Sequence, residues 1–271
     1  MHTMWKGAIS FGLVNIPIRM FASTENKDIK FRYLHKKCRT PIKYMKTCPT
    51  CQTEVGPDEL VKGYEYEPGR FVLIEEEDFN ALKPDLKKSI EILDFVNLAE
   101  IDPIYFDKSY YLSPQETGEK AYHLLRQAMN DTGKIGIAKI TIRDKQSLAA
   151  LRVYRNLLVM ETIFYPDEVR PVEQVPGIPE RITLQDKELE MAVQLISNLA
   201  ASFDPGKYTD EYREALKTLI NKKIEGEEIE IPTEAPERNI IDLMQALQAS
   251  IEQTSPKVKK TRERKKKTTV S

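Results

Sequence analysis

Apolar and polar positions alternate most clearly in short runs bounded by Gly, Pro or charged turns, the pattern of strands with one buried face. Gly7 to Val14, Arg70 to Ile74, Ser89 to Leu98 and Lys134 to Arg143 are such runs, rich in Ile, Val, Phe and Leu. In the last of them Gly136, Ala138, Ile140 and Ile142 share one face, and the other passes from Ile135 and Ile137 to Lys139, Thr141 and Arg143. A period of two puts Lys139 and Arg143 on the same side. Leu148 to Tyr165 carries Leu151, Val153, Leu157, Leu158, Val159, Met160, Ile163 and Phe164. Its periodicity fits strand or helix, and two strands are the favoured reading.

Helical signals are Glu75 to Leu82, ahead of Pro84, and Gln115 to Met129, after Ser113-Pro114. Beyond Pro179 the texture becomes helical. Asp186 caps a run with Leu189, Ala192, Val193, Leu195, Ile196 and Leu199, and a second run carries Tyr212, Leu216, Leu219 and Ile220. Together they predict a helical arm over 181–225. Residues 226–236 are acidic and Pro-bearing and read as a linker, after which Ile240, Ile241, Leu243, Met244, Leu247 and Ile251 predict one more amphipathic helix within 237–254. The expected class is mixed and mainly β: a strand core over 1–180, then helices, with no solenoid repeat.

Charge changes this picture more than composition does. The whole chain is nearly neutral at −1, yet residues 255–271 hold eight Lys or Arg against one Glu, and residues 1–62 hold eleven basic against five acidic residues. The middle therefore carries the compensating acid, so two basic zones flank an acidic body. Within the first zone, Lys30, Arg32, Lys36, Lys37, Arg39, Lys43 and Lys46 stand without a single acid between Ile29 and Lys46, and Tyr33 and Tyr44 are interleaved. An ordinary solvated face mixes both signs, so seven unopposed cations point to a phosphate backbone. The tail cations Lys257, Lys259, Lys260, Arg262, Arg264, Lys265, Lys266 and Lys267 lie in a stretch too poor in apolar residues to fold. Such tails are sequence-blind, and DNA, RNA, an acidic protein and mere solubility all remain open.

The three cysteines, Cys38, Cys48 and Cys51, are too few and too clustered for a disulfide framework and fit a reducing compartment. With His35 they form His35-x2-Cys38-x9-Cys48-x2-Cys51, a spacing that tetrahedral Zn2+ favours and that would close a loop too short to build a core. A structural Zn2+ is the expectation, and free thiols with a surface histidine are the alternative. No Gly-rich phosphate loop, GxSxG or HExxH occurs, and the remaining histidines are His2 and His123, so an enzyme is not expected. No stretch approaches the roughly 18 apolar residues of a membrane span, and the first residues do not read as a secretion signal. The expected location is cytoplasmic.

Four stretches resemble the bacterial Ku family: Trp5 to Ile18 (WKGAISFGLVNIPI), Val61 to Tyr66 (VKGYEY), Ile101 to Phe106 (IDPIYF) and Phe164 to Val169 (FYPDEV). The likeness runs from Met1 to about Glu252 and includes Asp242 to Leu247 (DLMQAL). It implies a β-barrel core with a helical arm, a bridge insertion at about 24–62, and a homodimeric ring threaded by a double-stranded DNA end. It also implies end joining without catalysis and a C-terminal segment, with Asp242, Leu243 and Leu247, that recruits the multifunctional repair ligase, ligase D. Phosphate contacts independent of sequence are then expected from Arg32, Lys36, Lys37, Arg39, Lys43, Lys46, Arg143, Lys145 and Arg152. The tail is expected to touch either DNA or the ligase. A zinc-ribbon adaptor that tethers a protein complex is the rival reading, and it predicts no preference for DNA ends.

Overall fold

The computed structural model describes residues 1–81, 88–142, 145–179, 182–226 and 243–254. They fall into two compact units, Met1–Val175 and a second beginning at Pro176. In the first, β1 (Trp5–Phe11) and β2 (Val14–Ala22) form a hairpin, and β3 (Lys62–Glu67) and β4 (Arg70–Ile74) form another, followed by α1 (Glu76–Ala81). Then come β5 (Ser89–Asn97), β6 (Phe106–Pro114), α2 (Glu119–Thr132), β7 (Lys134–Ile142), β8 (Lys145–Tyr154) and β9 (Leu157–Ile163). Seven strands close into a barrel in the order β1-β2-β6-β9-β8-β7-β5. Every pairing is antiparallel except β1 with β5, the parallel seam that closes it.

Alternation supplies the barrel interior. Ile16, Ile18 and Met20 of β2, Ala138 and Ile140 of β7, Ala149 and Leu151 of β8 and Leu158 and Met160 of β9 point into one core with Ile9, Ile90 and Leu112. The helix α2 adds Tyr122, Leu125 and Met129 to the same core. The Tyr122 hydroxyl donates to the Leu112 carbonyl at 2.6 Å and accepts from the Leu158 N–H at 2.7 Å, so one buried side chain ties the helix to two adjacent strands. A second cluster, Ile135, Ala150 and Ile163 with Ile101, Tyr105 and Phe106, covers part of the outer face. That burial explains why Ile135 and Ile137 are apolar although they lie opposite the core-facing residues.

The helices and most strands lie where the periodicity placed them, including β8 and β9 in the ambiguous stretch. Several readings need correction. The strands β2 and β3 were not expected, and α3 is capped at Gln185, with Asp186 as its first helical residue. The run from Gly7 to Val14 is not one strand: Gly12, with φ 57, begins a two-residue loop joining Phe11 to Val14, where a glycine at the first loop position suits the twist of a hairpin. The strand β6 was not anticipated, because Asp107 and Lys108 bulge out between Phe106 and Ser109 and break its alternation. The Thr162 hydroxyl takes the place of the lost ladder bonds, accepting from the Lys108 N–H at 3.1 Å. The helix expected from Gln115 starts as a 3-10 turn, Glu116–Gly118, and becomes α-helical at Glu119. There the chain runs so close to β2 that a Cβ on Gly118 would lie 2.7 Å from the Pro17 carbonyl oxygen.

The second unit contains α3 (Asp186–Leu199), α4 (Glu211–Glu225) and α5 (Leu243–Thr254), with α3 packed on α5. The part-buried positions of α3 are Glu188, Met191, Ala192 and Leu195, and those of α5 include Met244, Leu247 and Ile251, each set at helical spacing. A different α3 stripe, Leu189, Val193, Ile196 and Leu199, stays 52–69% exposed. Among the described residues no helix is long and apolar enough to cross a membrane.

Candidate nucleic-acid interface

Between β2 and β3 the chain leaves the barrel for the segment 23–61, whose only regular pieces are two isolated β-bridges and the short turn Pro57–Glu59. Nothing in it is buried. Phe31, Tyr33, Tyr44 and Met45 are 65–84% exposed, so the segment has no core of its own. Arg32, Lys36, Lys37, Arg39, Lys43 and Lys46 are all exposed, as is Lys30. Among the described residues none of the seven enters an ion pair; the nearest acid-base contact is Lys27 with Glu25, just before them. Unpaired, solvated cations on an extended segment are free to meet phosphate without first breaking an internal contact.

The barrel cations are placed differently. Arg152 of β8 makes two hydrogen bonds to Glu161 of β9, at 2.7 and 2.9 Å, and Ser109 donates to the same carboxylate at 3.2 Å. Glu161 is 9% exposed. Hydrogen bonding from Arg152 holds the Glu161 carboxyl below its ordinary range, and Glu161 in turn raises the guanidinium. Arg152, expected to face DNA, is thus committed to a strand-to-strand clamp. Lys145 is 3.6 Å from Glu168 with an exposed side chain, and Lys139 of β7 is exposed opposite Glu91 of β5. Arg143, Asp242 and all eight tail cations, like the linker beyond Gly226, lie outside the described residues. Leu243 is 61% exposed, whereas Leu247 is part-buried on the helix that packs against α3.

The clamp gives a stability test. Glu161→Gln leaves the guanidinium half-buried without its counter-charge, and is expected to cost about 1–3 kcal/mol at neutral pH. A depressed carboxyl contributes its stability above the unfolded pKa, near 4.3, and loses it as pH falls through the folded value. Urea unfolding should therefore show a gap between wild type and variant that is full at pH 7 and narrows below about pH 4. A gap that stays constant with pH would refute the charge pairing.

One pair of cations escaped the sequence reading. Lys6 and Arg19 are direct cross-strand neighbours on β1 and β2, and with Gln115, Glu116 and Thr117 they line a cavity of about 270 Å3. Like charges placed directly opposite repel, so such a pair favours an anion between them. The signal was present: both residues lie equally far from the Gly12-Leu13 turn. His35 and Cys38 are adjacent, Nδ1 to Sγ 3.0 Å, and hydrogen bonds from Thr40 and His35 lower the Cys38 thiol to about 7. Cys48 and Cys51 form a second pair, in which hydrogen bonds from the Cys51 and Thr50 backbone lower the Cys48 thiol. Among the described residues no three His, Cys, Asp or Glu side chains converge on a single point.

A closed seven-strand barrel, a basic coreless insertion after its second strand and a trailing helical unit form a combination that can be compared with known proteins. A family model described as the Ku70/Ku80 β-barrel domain matches residues 10–191. The chain belongs to the Ku family. It is 56% identical over 257 residues to the non-homologous end joining protein Ku of Bacillus subtilis (strain 168), covering 94% of this chain and 83% of that protein. The protein of the same name from Heliobacterium modesticaldum is 48% identical over 272 residues, with 98% and 99% covered. That of Archaeoglobus fulgidus is 41% identical over 252 residues, with 93% and 99% covered. The segment 23–61, outside the barrel strands, holds six of the nine cations expected to meet DNA.

Proposed function

We propose that the chain is a non-enzymatic DNA end-binding protein that acts as a homodimeric ring. Two copies enclose a double-stranded end regardless of sequence, slide inward and recruit a multifunctional ligase, ligase D, for non-homologous end joining. The observation that carries this reading is the insertion 23–61: exposed cations with no ion-pair partner among the described residues, on a segment with no core. A duplex end offers a uniform array of phosphates and no fixed base pattern, so mobile Lys and Arg suit it better than rigid bidentate readers. The coreless insertion and the exposed Tyr64, Tyr66, Phe71 and Val72 of the β3-β4 hairpin also suit a segment ordered against a second copy and a threaded duplex. The acidic middle of the chain favours an outer surface that repels DNA flanks. The ligase-facing part belongs to the C-terminal region, with Leu243 as its exposed apolar position, and the proposed setting is the bacterial cytoplasm.

Threading separates this reading from the adaptor alternative. Linear duplex is expected to bind well at moderate salt, and a closed circle of equal length to compete at least about tenfold more weakly, since a circle offers only non-specific phosphate contacts. Equal competition by both would sink the ring and favour a simple basic adaptor.

A further inference from the structure

The basic insertion contains a repeat that side-chain spacing only hints at. In its first hairpin the His35 carbonyl accepts from the Arg39 N–H at 2.7 Å, and the His35 N–H donates to the Thr40 carbonyl at 2.9 Å. In its second the Cys48 carbonyl accepts from the Gln52 N–H at 2.8 Å, and the Cys48 N–H donates to the Thr53 carbonyl at 3.0 Å. The bridges Leu34 to Pro41 and Thr47 to Glu54 correspond, as do the stem bonds from Ile42 to Tyr33 and from Val55 to Lys46. Every member of the second set lies thirteen residues after its counterpart. So do the ligand types: His35 and Cys38 recur as Cys48 and Cys51. The residue after each inner cysteine is left-handed and is not glycine, Arg39 at φ 55 and Gln52 at φ 56.

We propose that the two hairpins are the halves of one structural Zn2+ site, with His35 and Cys38 from the first and Cys48 and Cys51 from the second as its four ligands. Two identical turns, each with a left-handed residue that costs about 1–2 kcal/mol, are hard to account for in an exposed segment without a core. A closed tetrahedral site supplies the missing organisation, because metal binding is folding free energy for segments of this size. The His35 Nδ1 to Cys38 Sγ distance of 3.0 Å is within roughly half an ångström of the separation of N and S ligands on a tetrahedral zinc. Electrostatics agree. Three thiolates leave a zinc site with net negative charge, and Lys36, Lys37, Arg39, Lys43 and Lys46 lie within five residues of a ligand in the sequence, a local excess of cations that favours the thiolate form. The metal would join the two pairs across the Lys43-Tyr44-Met45 connection and tie down the backbone that carries five of the cations proposed to meet DNA, leaving their long side chains mobile.

The test uses the full-length protein purified in reducing buffer and measures its zinc content. About one zinc per chain is expected, as for a closed four-ligand site. Cys38→Ser and Cys48→Ser should each lose it, while His35→Cys, which supplies a fourth thiolate, should keep it. Cobalt exchanged into the wild type should give the absorption of a tetrahedral thiolate complex. Metal-free wild type with three freely titrating thiols, or with a Cys48 to Cys51 disulfide, would overturn the proposal. So would zinc retained by the Cys38→Ser/Cys48→Ser double variant. The wild-type measurement decides the matter even where a variant fails to fold. Because metal content is read without DNA, this proposal and the end-binding reading fail separately.

Discussion

Reversing Lys36, Lys37, Lys43 and Lys46 to glutamate together is expected to weaken binding to a blunt duplex end by roughly a hundredfold or more at moderate salt, since six to ten phosphate contacts carry about 10^3 to 10^5 in salt-sensitive affinity. The diagnostic quantity is the salt slope. Each lost phosphate contact removes about 0.9 from the slope of log affinity against log salt, so four reversals should flatten it by about 3 to 4 for each protomer. Arg39 is left unchanged because its positive φ makes any substitution there a backbone question as well. Two controls separate charge from damage. Arg152→Leu removes a barrel cation already paired with Glu161 and is expected to lower stability with little change in slope. Lys217→Ala in α4, where Lys217 pairs with Glu214, should change neither by much. A quadruple variant that keeps the wild-type slope would show that the insertion does not meet DNA.

That contrast between the insertion and the barrel marks the limit of what the chain discloses before it folds. The unopposed cations from Lys30 to Lys46 were legible because exclusion of acids over a long run needs no structure to be seen. The barrel strand β7 was written in simple alternation, whereas β8 and β9 lay in a stretch that also fitted a helix, and β2 was not read as a strand although Ile16, Ile18 and Met20 alternate in it. What depends on register was not legible. Arg152 reaches Glu161 because β8 and β9 set Ala150 opposite Glu161 and Arg152 opposite Val159, a diagonal fixed by the Arg155-Asn156 loop. Lys6 meets Arg19 only once the Gly12-Leu13 loop is placed. The parallel seam of β1 and β5 joins strands almost eighty residues apart, and no local pattern announces it; only likeness to a family implied a barrel. The cysteine spacing was visible, but the thirteen-residue recurrence is carried by backbone hydrogen bonds and two left-handed residues rather than by side-chain identity.

Val193→Asp with Ile196→Asp in α3 is expected to convert the proposed homodimer into a monomer and, with it, to abolish preference for DNA ends. The helix has two apolar stripes, and among the described residues only one is part-buried. Met191, Ala192 and Leu195 lie on the part-buried side of α3, which packs on α5, whereas Leu189, Val193, Ile196 and Leu199 remain 52–69% exposed. Fully burying an aliphatic side chain is worth about 1.5–3 kcal/mol, so four half-exposed ones on each of two copies contribute on the order of 8 kcal/mol toward association. An aspartate buried without a partner at that contact costs several kcal/mol, roughly 2–7 even for a neutral polar group. Two per protomer therefore exceed what the stripe supplies. Sedimentation velocity at micromolar protein reads the assembly, and circular dichroism checks that helices and barrel persist. The proposed ring requires both copies, so the folded monomer should retain only salt-sensitive, end-blind contact through its own insertion. A variant that remains dimeric would assign the interface elsewhere, to the exposed β3-β4 hairpin and the insertion; a wild type that sediments as a stable monomer would remove the ring itself, because one open chain has no means of telling an end from a closed circle.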